Sequence, residues 1–586
     1  MSKKKNKKSK NNVSNVSKAS KTKAKGKTVE TSEMSEALNL TIAAAATIPA
    51  PPKPPTAAEI KKAEQEKIIS FLDDLSLYLE LFHDADDTAY VTYSKSENFD
   101  SNFRTCKIES LEFKNFLRHQ TWTRLGLSIP NPMLNQRVSD YATRALFNDD
   151  APERPVFLRV GEHGDDIFID LCNDKGQAVK VTADGWTVVD DPDCKFRRAS
   201  GMRPLPTPVS GGSIAELDRF LNLSPNDRIL FLSVLLAAFQ FNKPTPILLI
   251  TGEHGSGKTT LSKIFRSLID PSKAPAQTAS NDERDLLIAC NNSWVVNIDN
   301  QSKLPDKMSD NLCRLATGSS LRTRKLRTDA EEQIFSAIRP VLLNSIEELA
   351  TRPDFLDRSV HIHTRNINQR VGENSLWILF QGKAPRIFGA LLDAVATALK
   401  RRPIIVEKII PRMADFTKWA CAGAPALGFT QEQFLNAYEA NRTAGSREAL
   451  DASPIYLPLM MLLDNVAGHT SSGGISAQTR VGAYQSAVIT KGLFRGSAKD
   501  LLMVLKANDA GERPHDFPKT PKMLAAMLAR LIPNLRAEGI EVNYLDRDPM
   551  RRVRILEIKA SNVSNASETQ PLSGRAKTPR LQSIAS

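Results

Sequence analysis

The sequence predicts an α/β core, a parallel sheet with flanking helices, set within a longer chain of several folding units. Three observations predict it. Short apolar runs alternate with helix-like stretches beyond residue 240, as a parallel sheet covered on both faces requires. One run, Ile247–Thr251, leads straight into a glycine-rich loop that opens a helix. Two more, Trp294–Ile298 and Pro340–Leu343, are followed by Asp299 and Asn344. The chain has 586 residues; at about 100–200 residues per domain this is three or four units.

In chain order, residues 1–57 read as a disordered tail, lysine-rich and then proline-rich. The formal net charge is +13, but residues 1–27 carry eleven lysines and no acid, so the remaining body is nearly neutral. The tail is either a solvated segment or an electrostatic attachment to nucleic acid or another polyanion. Residues 58–206 read as an α+β domain. Glu59–Phe82 and Leu111–His119 are helix-like; Thr88–Tyr93, Val156–Val160, Asp166–Leu171, Ala178–Val181 and Trp186–Val189 are strand-like. The α/β core spans 207–370, a mostly helical lid 371–467, a Ser/Gly/Thr/Ala-rich linker 468–487, a compact αβ domain 488–560, and a polar tail 561–586.

Several classes are excluded at this level. The longest apolar run, Ile229–Phe241, falls short of the roughly 20 residues a spanning helix needs and reads as a buried helix, so no membrane partner is expected. The N-terminal lysines have no apolar segment behind them, so no secretory signal is read. Six cysteines without close spacing predict neither a disulfide framework nor a zinc ribbon and fit a reducing cytoplasm. His361-x-His363 has no Cys or carboxylate beside it in the sequence and is read as ordinary strand residues.

The chemistry sits in Gly252-Glu253-His254-Gly255-Ser256-Gly257-Lys258-Thr259-Thr260, a G-x-x-x-x-G-K-[ST] match between a buried strand and a helix. The glycines let successive N–H groups turn toward phosphate oxygens, and the helix adds its positive end. Lys258 reaches the β- and γ-phosphates of ATP, and the Thr259 hydroxyl completes the shell of Mg²⁺. Asp299, at the end of an apolar strand about 40 residues on, is placed to hold Mg²⁺ through water; alone it is a common feature, and beside the loop it becomes specific. Asn344 ends a third strand, where its amide can orient attacking water; the bland alternative is a turn-forming Asn. Arg358 is assigned as an arginine finger reaching a neighbouring subunit's γ-phosphate, with Arg352 in reserve; either could instead pair with Asp354 or Asp357.

Between these elements Leu321–Arg327 and Gln333–Ile338 read as a hairpin whose basic strand offers Arg322, Arg324, Lys325 and Arg327 to a nucleic-acid backbone. An exposed charged hairpin without a ligand is the alternative. Near the C-terminus, Ser497–Lys506 reads as a helix, and Thr520-Pro521 starts another with an apolar stripe of Leu524, Met527, Leu528, Leu531 and Leu535. Ile540–Leu545 and Val553–Ile558 flank a basic turn. Helices followed by a basic hairpin predict a winged-helix-like domain, with Lys519, Lys522 and Arg530 toward duplex DNA and Arg547, Arg551 and Arg552 in the wing. A small protein-docking domain is the competing reading.

The order of loop, Asp-ended strand, basic hairpin, Asn-ended strand and trailing arginine resembles the AAA+ ATPases, and within them the superfamily 3 helicase-like ATPases of phages and mobile elements. Arg197–Pro206, Asp282–Leu286, Asn292–Val296, Cys313–Gly318 and Leu349–Asp354 are similar to segments of phage primase/helicase-type proteins. The resemblance implies a ring-forming homo-oligomer such as a hexamer, with single-stranded DNA in its channel and a primase or polymerase partner. It also implies that Lys258, Thr259, Asp299, Asn344 and Arg358 match the nucleotide-handling positions. One departure bears on hydrolysis: many relatives carry Glu after the strand-ending Asp, and Asn300, whose amide cannot take a proton, stands there. Glu253, Glu283 and Glu347 are the candidate substitutes. An ATP-gated loader, or a regulator that binds operators, is the alternative to a motor.

Overall fold

The computed structural model describes residues 55–96, 98–276, 283–301, 304–318, 321–324, 332–335, 338–345, 352–367, 371–405, 413–464, 488–490, 492–508, 517–547 and 553–560; at 321–324 and 332–335 only the backbone is described. The chain divides into two compact units, Met1–Lys67 and Ile68–Ser586. The expected tails therefore fall almost wholly, and the linker wholly, outside the described residues.

Helix α1 is Ala57–Ser76, shorter than the expected Glu59–Phe82. Its predicted last turn is instead strand β1, Glu80–His83, because those residues pair antiparallel with β2, Ala89–Ser94, which pairs in turn with β3, Phe103–Lys107. Helix α2, Leu111–Leu125, starts at Ser110, whose hydroxyl accepts from the Phe113 amide, and ends at Gly126 in the left-handed region. With α3, Asn131–Phe147, it closes a core around Phe113, Leu117, Val138 and Tyr141.

A four-stranded antiparallel meander follows: β4 Val160–His163, β5 Asp166–Asp170, β6 Ala178–Thr182 and β7 Gly185–Val189. Its inward residues Val160, Ile169, Val179 and Val181 share one core with α4, Pro225–Ala237. All nine residues Ile229–Ala237 are buried, so the long apolar run is a core helix. Burying each of its Ile, Leu, Val and Phe side chains contributes about 1.5–3 kcal/mol.

Strand β8, Ile247–Thr251, is buried at every position, and α5, Lys258–Ile269, follows the glycine loop. Then come α6 Glu283–Asn292, β9 Val296–Gln301, α7 Asp306–Thr317, β10 Leu321–Arg324, β11 Glu332–Phe335, β12 Val341–Ser345 and β13 Ser359–His363. The parallel sheet runs in the order β9-β12-β8-β13, and β10-β11 form an antiparallel pair apart from it. A strand is thus inserted between the loop-bearing β8 and the Asp-bearing β9, which places Asn344 of β12 between them.

Helices α8 Glu373–Arg401, α9 Ala414–Gly423 and α10 Gln431–Asp451 complete the large core. Next come α11 Tyr456–Asp464, β14 Val488–Thr490, β15 Leu493–Ser497, α12 Ala498–Asn508, α13 Pro521–Ala537, β16 Ile540–Arg547 and β17 Arg554–Ala560. These last strands form a sheet in the order β14-β15-β17-β16. Thr520 caps α13 by accepting from the Met523 amide, and the stripe residues Leu524, Leu528, Leu531 and Leu535 are buried in a separate core. Among the described residues no helix is long and apolar enough to cross a membrane.

Candidate nucleotide site

The loop between β8 and α5 curls because glycine stands where no side chain fits. Gly252 has φ 149°, and a Cβ there would lie 2.2 Å from Thr364 Oγ1 and 2.8 Å from Ser256 Oγ. Gly257, at φ 90°, forms the N-cap of α5. The loop is braced from neighbouring elements. Ser256 Oγ lies 2.6 Å from Thr364 Oγ1, which donates to the Thr251 carbonyl at 3.1 Å, and the Asn222 amide donates to the Ser256 carbonyl at 3.2 Å.

Lys258 folds back over the loop, donating to the Gly252 and Glu253 carbonyls at 2.7 and 2.8 Å. Burial lowers its pKa while the Asp299 charge acts the other way. Thr259 Oγ1 donates to Asp299 Oδ1 at 3.3 Å. Asn344 Nδ2 donates to the same Asp299 oxygen at 2.9 Å and to Ser262 Oγ of α5 at 2.9 Å. The end of β12 and the first turn of α5 therefore converge on the one carboxylate that β9 carries. Asn344 is 1% exposed, yet among the described residues its Oδ1 has no hydrogen-bond partner. Asn300, at φ 55°, turns the chain where the β9–β12 register shifts. Together these groups open onto a cavity of about 790 Å³ lined by His254, Gly255, Gly257, Lys258, Thr259 and Thr260 and by Asp299 and Asn344.

A buried network holds this geometry from behind. Asp270, just past α5, accepts from the Trp294 and Val295 amides at 2.9 and 3.1 Å and from Arg159 at 3.2 Å. Arg266 of α5 donates to the Asp270 carbonyl at 3.0 Å and to Ser293 Oγ at 3.0 Å. Because Asp270 takes the Trp294 and Val295 amides, the strand begins at Val296 rather than at Trp294, where the sequence places it.

The other expected site residues are placed elsewhere. Arg358 adjoins the first residue of β13, and its carbonyl accepts from the Ile247 amide at 3.0 Å. That is the opposite end of β8 from the glycine loop, a strand length of roughly 16 Å away. Its guanidinium bonds Cys313. Arg352 is engaged by Asp310 at 2.7 Å and Asp354 at 3.0 Å, the ion-pair alternative raised for it. The β10–β11 hairpin is present, with Arg322 pairing across to Ile334 and Arg324 to Glu332. Lys325, Arg327, Glu347, Arg551 and Arg552 lie outside the described residues. Lys519, Lys522, Arg530 and Arg547 are exposed on the C-terminal domain. Glu253 is exposed in the loop, and Glu283 pairs with Lys307 at 3.0 Å.

Sequence reasoning missed Thr364, Asn222 and Glu373. Glu373 lines the cavity, accepting from Lys263 at 3.2 Å, a bond that holds its carboxyl below the usual range. Thr364 directly follows β13, a position its sequence neighbourhood marks only through the strand.

Residues 214–444 match the family described as Actinomycete integrative conjugative element replication protein, and residues 483–572 match the C-terminal domain of the same element's RepA. Over these two segments the chain is similar to the replication protein of an integrative conjugative element, a mobile genetic element. More narrowly, the two segments similar to RepA together span more than half of the chain. Solved structures that match include the SCCmec type IV Cch active helicase, at 10% identity over 82% of this chain and 93% of that one, TM-score 0.44. The NrS-1 C-terminal region follows at 13% identity over 83% and 98%, TM-score 0.36, and the JCV helicase at 13% over 37% and 65%, TM-score 0.21. No curated protein matches.

Proposed function

We propose that this chain is an ATP-binding and ATP-hydrolysing AAA+-type motor, helicase-like, that acts on DNA during replication of a mobile element. The observation that carries the reading is the convergence of Lys258, Thr259, Asp299 and Asn344 on one cavity at the mouth of a buried parallel sheet. The residues fit a nucleoside triphosphate. The positive-φ glycines leave room for phosphate at backbone distance, and Lys258 occupies carbonyls that a phosphate oxygen would replace. Thr259 and Asp299 are the hydroxyl and carboxylate that would hold Mg²⁺, which would supply charge neutralisation on the phosphates. The residues do the rest. Lys258 binds, Asn344 aims Asp299 through its amide N–H, and the α5 N-terminus favours the anion.

Arg358 lies too far from the loop of its own chain to reach it, which supports action on a neighbour and hence a homo-oligomer. The order α11-β15-α12-α13-β16-β17, with β15 paired to β17 and β17 to β16, supports a winged-helix-like reading of the C-terminal domain. On it, Lys519, Lys522 and Arg530 would meet duplex DNA and Arg547 would lead the wing.

Asn300 favours a second reading, an ATP-gated loader or regulator that unwinds nothing, because no carboxylate adjoins Asp299 to take a proton from water. The test is ATP turnover with and without single-stranded DNA, together with strand displacement on a forked duplex. Turnover stimulated by the single strand and displacement of the fork support the motor; ATP binding with neither supports the switch.

A further inference from the structure

His361 and His363 alternate with Ile362 on β13, so both imidazoles leave the same face of the sheet, with ring centroids 4.3 Å apart. The fold brings a carboxylate to them that no local spacing shows. Glu448 of α10 lies with Oε2 2.9 Å from His361 Nδ1. One ligand atom from each of the three residues lies within 4.8 Å of the others.

The surroundings hold these groups in place. His361 is 5% exposed, and the Glu448 side chain 22%. Asn441, two turns earlier on α10, accepts from the His361 amide at 3.1 Å and donates to the His361 carbonyl, so the helix is clamped to the strand at the ligand itself. Thr251 Oγ1 lies 2.9 Å from His361 Nε2 and 2.8 Å from His363 Nδ1. A single hydroxyl thus engages one nitrogen of each ring, the arrangement that fixes tautomers behind metal-ligating histidines. The opposite nitrogen of His361, Nδ1, faces the Glu448 carboxylate. Burial acts to raise the Glu448 pKa, but the His361 bond and the charges of both histidines outweigh it and hold the carboxyl below its usual range.

We propose that His361, His363 and Glu448 form a binding site for a transition-metal dication of the zinc class, with water completing the coordination. Two imidazoles and one carboxylate suit zinc rather than Mg²⁺ or Ca²⁺, which prefer all-oxygen shells. Tetrahedral bonds of about 2.0–2.2 Å space ligand atoms by roughly 3.3 Å, so the His361–Glu448 pair is close to the required separation. Exposed His363 supplies the remaining adjustment by rotating. The ion ties α10 to the strand beside Thr251, the residue that leads into Gly252. The site is independent of the nucleotide reading.

The full chain, stripped with EDTA and freed of chelator, is titrated with ZnCl₂ by calorimetry, and Co²⁺ absorption reports the ligand set. The expected result is one ion per chain with a tetrahedral Co²⁺ spectrum. Affinity falls at least about tenfold in Glu448→Gln and in His363→Ala and stays unchanged in Lys258→Ala. Glu448→Gln keeps a hydrogen-bond acceptor for His361, and its melting temperature shows whether it folds; if it does not, the exposed His363→Ala decides alone. No stoichiometric binding, or binding unaltered by His363→Ala, overturns the site.

Discussion

Replacing Asn344 with Ala separates an amide that works on the reaction from one that only closes a turn. The side chain is 1% exposed and makes two bonds at 2.9 Å, to Asp299 Oδ1 and to Ser262 Oγ. A bond to an ionised carboxylate contributes about 1.5–3 kcal/mol, and one to a neutral hydroxyl about 1. Alanine leaves Asp299 Oδ1 with Thr259 at 3.3 Å and its own neighbour's amide at 3.0 Å, a looser hold on the carboxylate. If the aiming energy is expressed only in the transition state, turnover falls roughly 10- to 150-fold. Lys258 and the loop are untouched, so ATP affinity changes less than about threefold. The assay is single-turnover phosphate release beside equilibrium binding of a fluorescent ATP analogue, with circular dichroism confirming the fold. Turnover within twofold of the unaltered chain, with the variant folded, refutes the reasoning and leaves Asn344 a structural residue.

Arg358→Ala subunits mixed into unaltered protein are expected to depress ATP turnover more than in proportion to their share, because each blocks a neighbour; linear dilution of activity contradicts action between subunits. Leu528→Ala, at a fully buried position of the C-terminal core, is expected to cost about 2–5 kcal/mol of that domain's stability in thermal melts while ATP affinity is unchanged. Glu216 bonds Lys383 at 3.0 Å and Arg386 at 2.9 Å, and these partners hold its carboxyl below the usual range. A lowered folded pKa means stabilisation present above the unfolded carboxyl's pKa and lost as pH falls through the folded one. The urea midpoint should therefore separate Glu216→Gln from the unaltered chain at neutral pH and converge below about pH 4; a constant gap contradicts the linkage.

Much of the core was legible because its signals are local. Ile247–Ile250 is apolar at every position and Thr251 leads into the glycine loop, so a strand buried on both faces was readable to the residue. Thr520-Pro521 announced a helix start by capping chemistry alone. The failures are non-local. Glu80–His83 reads as helix until β2 pairs with it. Phe103–Lys107, with Arg104 and Lys107 interrupting its pattern, becomes a strand only beside β2. The α3 helix, which the sequence reading leaves out, starts beside Pro130 and Pro132, and proline suits a helix start. In the candidate site, the loop and the residues after its neighbouring strands were visible as spacing, whereas Thr364 and Glu373 reach the cavity only by folding. Glu448 lies 87 residues from His361, and no pattern in the chain joins them.

The central claim is that the loop opening α5 grips a triphosphate through Lys258, and equilibrium titration of ATP and Mg²⁺ onto the unaltered chain and onto Lys258→Ala tests it most directly. Losing one ammonium bond to phosphate removes about 1.5–3 kcal/mol, so the account predicts saturable binding weakened roughly 10- to 150-fold in the variant. Equal ATP affinity in two equally folded proteins contradicts it.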